Sequence, residues 1–439
     1  MLDITFIGII CILLLLIFIA IGVPVGISFI TSGLISTFLI LDGARAIALL
    51  VGSAHSSIAA PSWVAIPLFI LLGALAVQSG LATKAFRSAD AVASGIPGSV
   101  GIATCLATAG FGAISGASIA ATSIFGKMAL PEMRKLGYNK SFSSGIIASA
   151  GTFASMIPPS MMFIIYALFT QTSVAGLFFA GIIPGLLSAV IYSIYIYIRC
   201  KNDPAMMKRQ KAQPELTVKQ RFSAMGESWP IILVAVALLG GIYTGIFTPT
   251  ESAAVGCILI VVIGFIQGHF RKFDAFSGAL RDSANTTSMV FLINIGALFY
   301  AKVLALSQMP ANLTSYFVNL DVPPIVIIII ISLIFFLLGM IMVPIGIYAL
   351  ILPIVAPIVS GLGYDLIWFG VIALKLTEIG AVTPPVGLNV YALKGVVSRD
   401  ITITDIFKGV TPFVIIDIFV LIVLIAFPIL SLWLPNLLF

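Results

Sequence analysis

The chain has 439 residues, of which 60% are hydrophobic and only 9% charged, whereas a water-soluble surface needs roughly 25% charged residues. A soluble globule is excluded, and at about 20 residues per crossing the apolar content feeds on the order of ten or more membrane passes, with no room for a soluble catalytic domain. The net charge of +6 is dispersed over short loops, where basic residues orient helices in a bilayer rather than collect nucleic acid.

Hydropathy, cut at charged residues and at Gly and Pro, predicts apolar segments over 4–22, 24–41, 63–80, 100–133, 141–170 and 175–198. The first 23 residues carry no basic n-region and no A-x-A site, so the opening segment reads as a retained helix rather than a cleaved signal peptide. A polar linker over 200–228 follows, with seven Lys or Arg counting Arg199. Beyond it come segments 230–247, 252–267, 286–306, 323–360, 366–393 and 413–434.

Segments 100–133 and 323–360 are too long for one simple crossing, and small or helix-breaking residues interrupt them at 112–118 and 342–346. Each is read as a re-entrant hairpin that enters and leaves on one side. Five net crossings per half then place the linker opposite both termini, and the positive-inside rule makes the linker cytoplasmic. On that assignment 19 of the 22 Lys and Arg, all but Arg45, Lys302 and Lys375, face the cytoplasm. Outer loops carry Glu251, Asp321 and Asp365 instead; Glu251 is read as a helix-start residue and Lys302 as a snorkelling one.

The halves echo each other. Gly22, Gly33 and Gly73-Ala74-Leu75 recur 223 positions later as Gly245, Gly256 and Gly296-Ala297-Leu298. Pro131, Gly137-Tyr138 and Pro158-Pro159 recur 226 positions later as Pro357, Gly363-Tyr364 and Pro384-Pro385. With an odd number of crossings per half the copies are inverted, an arrangement that gives one structure two related shapes open to opposite sides. The expected fold is an all-α integral membrane protein: a first repeat over 1–199, the linker, and a second repeat over 229–439. Each repeat holds one hairpin and one Pro-broken helix, at about 141–170 and 366–393.

Pro158-Pro159 and Pro384-Pro385 lie inside segments otherwise long enough to cross, and tandem prolines break a helix because they lack N–H donors and clash with the preceding turn. Broken backbone at membrane depth is tolerated only where it is buried in protein or lines a cavity. The half-helix opening after each break, near Ser160 and Thr383, suits an anion, and the carbonyls closing the first half suit Na+. Ser115-Gly116-Ala117-Ser118 at the first hairpin tip, with Thr152 and Ser155, makes one cation site of hydroxyls and exposed carbonyls. Residues 342–346, ending at Gly346, with Thr377, Gly380 and Thr383, make its counterpart. Asn389 either binds substrate or bonds a neighbouring helix. Lys375 and Glu378, three apart on one helix, neutralise each other as a structural pair, against a role in substrate-anion or proton coupling.

Cys11, Cys105, Cys200 and Cys257 show no metal or disulfide spacing, and His55 and His269 stand alone without HExxH, GxSxG or Walker sequences, so an enzyme is not expected.

With these motifs in place, the chain resembles from end to end the large membrane subunit (DctM type) of tripartite ATP-independent periplasmic (TRAP) transporters. The resemblance rests on Ile66-Pro67-Leu68-Phe69-Ile70-Leu71-Leu72-Gly73, the tip at 115–118, the break at 157–160, Ala180-Gly181-Ile182-Ile183-Pro184-Gly185, Thr248-Pro249-Thr250-Glu251 and Thr383-Pro384-Pro385-Val386-Gly387. It implies a secondary active transporter of the bacterial inner membrane with periplasmic termini. Import of a small organic anion, such as sialate or a dicarboxylate, is expected to be driven by two or more co-transported Na+ through an elevator movement. It further implies two partners, a small DctQ-type membrane subunit and a periplasmic solute-binding protein. Two positions depart from the family pattern: Ala117 removes a hydroxyl from the first tip, and 342–346 lacks the acidic residue often found at the second. A stand-alone Na+-coupled anion symporter of related fold and a passive anion channel are the competing readings.

Overall fold

The computed structural model describes residues 4–203, 206, 217–271 and 273–438, and among them every regular element is helical. The first half contains α1 (Ile4–Ala20), α2 (Val25–Ile40), α3 (Gly43–Ala59), α4 (Ala65–Gln78), α5 (Leu81–Ala93), α6 (Ser99–Ser115), α7 (Ser118–Lys135), α8 (Lys140–Ala150), α9 (Phe153–Met156), α10 (Met161–Thr170) and α11 (Val174–Asn202). The second contains α12 (Val218–Gly226), α13 (Trp229–Tyr243), α14 (Pro249–Ile266), α15 (Phe273–Leu306), α16 (Met309–Val318), α17 (Pro324–Gly339), α18 (Pro344–Gly361), α19 (Leu366–Gly380), α20 (Leu388–Lys394), α21 (Ile403–Ala426) and α22 (Ile429–Leu438).

Six helices are long and apolar enough to cross a membrane among the described residues, or up to eight if two bent pairs each count as one span. Apolar helices of 10–17 residues, among them α1, α2, α6 and α17, supplement these. The chain is a multi-pass membrane protein.

Local chemistry sets the helix boundaries. Thr248 and Glu251 form a capping box that opens α14, and Thr402 and Asp405 do the same for α21. Asn139 and Asp365, 226 positions apart, cap α8 and α19, each accepting two backbone N–H groups. Gly137 and Gly363 precede these caps in the left-handed region, at φ +75° and +81°. α7 and α18 are each 18 residues long and also begin 226 positions apart. The helix boundaries thus recur at the offset seen in the sequence motifs.

Three elements differ from the hydropathy reading. Residues 43–59, expected in an outer loop, form α3, whose serines donate back to their own helix (Ser53 to the Leu49 carbonyl and Ser57 to that of Ser53, both 2.7 Å). Hydropathy undercounts such a helix because it scores those hydroxyls as needing water. α15 begins at Phe273, well before residue 286, and the segment expected over 413–434 is instead two helices, α21 starting at Ile403 and α22 following a break at Phe427. Within the predicted linker, α12 lies against α5: the Ser88 hydroxyl donates to the Ala224 carbonyl at 2.6 Å and Arg221 to that of Ser94 at 2.9 Å. Linker residues 204, 205 and 207–216, together with 1–3, Lys272 and 439, lie outside the described residues.

Small residues let backbones approach where the broken helices pack. Gly145 of α8 and Gly409 of α21 are in backbone contact, and a Cβ on Gly409 would strike the Ser141 carbonyl oxygen. Gly380 of α19 meets the backbone of Gly339 at the end of α17 in the same way.

Candidate substrate and ion site

The first hairpin tip is two residues long. Gly116 ends α6 at φ +59°, and Ala117 is extended before α7 begins. An added Cβ on Gly116 would lie 2.5 Å from the Pro159 carbonyl oxygen, so tip and break fit together only because this residue is glycine. The break runs from Ile157 to Ser160 and bends the helices on either side by 47°. The second tip and break meet similarly, the Val386 N–H donating to the Met340 carbonyl at 3.3 Å. Both Pro-Pro peptide bonds, at 158–159 and 384–385, are cis.

The two halves join at a small cavity of about 80 Å³ beneath the first tip. Gly116, Ser118, Ser155 and Pro344 line it, with Glu378 and Asn389 opposite. The Ser118 N–H donates to the Ser155 hydroxyl at 3.2 Å, and the Ser118 hydroxyl donates to Glu378 Oε1 at 3.2 Å. Glu378 is 1% exposed, yet its Oε2 has no partner among the described residues, and neither amide atom of the fully buried Asn389 has one. A carboxylate this deep is costly unless its charge is balanced.

A larger cavity, about 220 Å³, lies on the other side of the tip, against α4 and α15. It is walled mainly by apolar side chains, with Ser115, Asp282 and Thr286 as its polar members. The Ser115 hydroxyl, 5% exposed, is also without a partner among the described residues. Ala117 and Met161 line both cavities.

Of the residues expected at the site, Ser115, Gly116, Ser118, Ser155 and Asn389 come together around the first tip. Ser160 instead caps α10, its hydroxyl accepting from the Phe163 N–H at 3.4 Å. Thr377 donates to the Leu374 carbonyl of its own helix at 2.9 Å, Thr152 to the Ser149 carbonyl of the preceding α8 at 2.7 Å and Thr383 to the Ile379 carbonyl of the preceding α19 at 2.6 Å, and with Gly346 and Gly380 they line neither cavity.

Lys375 and Glu378 do not pair, contrary to the expectation from their spacing. Lys375 Nζ lies 2.6 Å from Asp417 Oδ1 on α21 and donates to the Ser188 hydroxyl of α11 at 3.0 Å. Tyr192 donates to the other Asp417 oxygen at 2.7 Å, completing a fully buried network across α11, α19 and α21. With Lys375 satisfied there, Glu378 is left to Ser118. Asp417 had a signal in the sequence: it is the only ionisable residue in the apolar stretch 413–434, and such residues are functional or structural keystones by default. Glu251 sits in its capping box as expected, and Lys302 is exposed. All four cysteines are buried and free, and no cluster of three or more His, Cys, Asp or Glu occurs among the described residues.

Comparison with known proteins places this arrangement. The family model of the "Tripartite ATP-independent periplasmic transporter, DctM component" matches residues 12–430. The C4-dicarboxylate TRAP transporter large permease protein DctM of Pseudomonas aeruginosa is 34% identical over 372 residues, covering 85% of this chain and 86% of the relative. The sialic acid TRAP transporter large permease protein SiaM of Vibrio cholerae is 31% identical over 419 residues, 95% of each. Among solved structures, the YdaH transporter of Alcanivorax borkumensis superposes with a TM-score of 0.62 over 90% of both chains at 15% identity, a likeness of fold alone.

Proposed function

Because the chain belongs to the DctM family of TRAP transporters, as a large permease subunit and not an enzyme, we propose that it imports a small organic anion driven by Na+. The reading rests most on the Glu378 junction. A buried carboxylate with an open oxygen calls for a positive companion, and Na+, a hard cation, takes oxygen ligands. Glu378 and Asn389 from one half, with Ser118 and Ser155 from the other, supply them. Thr152 stands beside this set; Gly346, Thr377, Gly380 and Thr383 surround the second tip and break, where a further Na+ would bind. Ser115 meets the substrate from the larger cavity, with Gly116 next to it at the tip on the side of the smaller one.

In this proposal the tips and broken helices move as one body against a scaffold that includes α4 and α15, with the two halves as inverted copies. At one point of their contact a Cβ on Gly73 of α4 would lie 2.7 Å from the Ser115 carbonyl oxygen, so the backbones meet closely there. Two Na+ carried with one monoanion move one net charge inward, about 2.3 kcal/mol per 100 mV, or about fiftyfold accumulation before the Na+ gradient is counted. A periplasmic binding protein delivers the substrate, and a small DctQ-type subunit completes the complex in a bacterial inner membrane, with both termini periplasmic. P. aeruginosa DctM and V. cholerae SiaM point to carboxylates as the substrate class.

The test is uptake into proteoliposomes. Transport should require an inward Na+ gradient, the binding protein and the small subunit. Equal uptake in K+ without binding protein would favour the stand-alone symporter, and flux without saturation would favour a channel.

A further inference from the structure

We propose that a cleft between α17 and α21 is a binding site for one acyl chain of a bilayer phospholipid. At about 580 Å³ it is larger than either cavity at the first tip and shares no residue with them. α17 and α21 both pack on α19, which closes the cleft from behind with the buried side chains of Leu376 and Ile379. Along its sides Leu333 of α17 and Ile422 of α21 are 55% and 58% exposed, so the cleft opens on the outer surface of the helices. In a multi-pass membrane protein that surface meets lipid, and no charged residue lines the cleft among the described residues.

Water does not fill such a space, because an apolar cavity stays dry and a water needs two or more polar partners. Ser332 is the one polar residue in the wall, and its buried hydroxyl has no partner among the described residues. Set between Ile and Leu neighbours, this small side chain leaves a hollow that a larger one would fill. A helix of a partner subunit does not fit either. At a diameter of about 10 Å and a rise of about 1.5 Å per residue, the cleft holds roughly five residues of helix. Helices also pack with their axes about 8–10 Å apart, so one seated between α17 and α21 would lift both from α19. Left empty, the cleft would cost the side chains around it their dispersion contacts. A hydrocarbon chain, as apolar as these walls and much narrower than a helix, restores them. Because α17 leads into the second tip, a chain lodged against it braces that tip from the lipid side. Lipid binding here does not depend on which solute or ion the protein carries.

The experiment uses the full-length chain, with any subunit that accompanies it, in proteoliposomes containing a phosphatidylethanolamine that carries a diazirine in one acyl chain. The membranes are dissolved in mild detergent, washed free of loosely held lipid and irradiated, and the labelled residues are mapped by mass spectrometry. Label is expected on α17 and α21 around Leu333 and Ile422, and is expected to be washed away from Leu186 and Val190, which are equally exposed on α11. Ser332→Phe puts a ring where the chain would lie and should cut the cleft labelling at least about tenfold, the equivalent of about two buried methylenes. Should that variant fail to insert, Ile422→Trp at the mouth serves the same test. The inference is overturned if washing clears the cleft as completely as α11, or if the filled cleft is labelled like wild type. It is overturned equally if the cleft is labelled only once an accompanying subunit is stripped away, which would put a protein there instead.

Discussion

Replacing Asp417 with Ala tests whether the buried network across α11, α19 and α21 holds the second broken helix in place. Lys375 is 2% and Asp417 1% exposed, and their charged atoms are 2.6 Å apart. Removing the carboxylate leaves the ammonium with only the Ser188 hydroxyl and the Tyr192 hydroxyl with only its longer bond to the Phe413 carbonyl, at 3.4 Å. Breaking one side of a buried ion pair costs about 3–5 kcal/mol, whereas a neutral interhelical hydrogen bond within a bilayer averages about 0.6 kcal/mol. The size of the loss therefore distinguishes a stranded charge from a lost hydrogen bond. Reversible unfolding in mixed micelles should show Asp417→Ala destabilised by about 3 kcal/mol or more. Combining Asp417→Leu with Lys375→Met removes both charges at similar volume and should recover most of that loss. A single variant costing under about 1 kcal/mol, or a double variant as unstable as the single one, would refute the reasoning.

Further outcomes follow from the same geometry. Ser118→Ala removes the hydroxyl that holds Glu378 and should raise the Na+ concentration for half-maximal uptake severalfold; an unaltered Na+ dependence removes Ser118 from the ion site. Gly116→Ala forces a side chain into the left-handed region and onto the Pro159 carbonyl, with backbone strain of about 1–3 kcal/mol before the collision is counted. Uptake should fall at least about tenfold while the protein is still inserted and extractable, and near-normal uptake would mean that tip and break separate freely. Gly409→Val should unseat α21 from α8 and abolish stable purification, which size-exclusion chromatography in mild detergent would show as aggregation.

The broken helices were legible in the sequence because proline leaves a chemical mark: missing donors at 158–159 and 384–385 cannot be hidden in a continuous helix. The first tip was legible for a related reason, since Gly116 is among the few residues that take φ +59° without strain. Partnerships across the chain were not. Ser118 and Glu378 are 260 positions apart, and Lys375 reaches Asp417 across 42, past a nearer carboxylate only three residues away. Spacing on one helix ranks neighbours by sequence, but at depth the pair that forms is the one that neighbouring helices bring within reach. At Ser160 and Thr383 another effect operates: a hydroxyl beside a break is claimed first by the backbone ends that the break exposes.

Ala117 and Met161 each face both cavities, so the compartments share a single thin wall. On the proposed reading, pushing that wall outward to admit a bulkier cargo takes space from the ion cell behind it by the same displacement. Loading one chamber and sealing the other would then be a single mechanical event, as with the paired doors of an airlock, and a loosened wall would show itself as Na+ leaking without cargo.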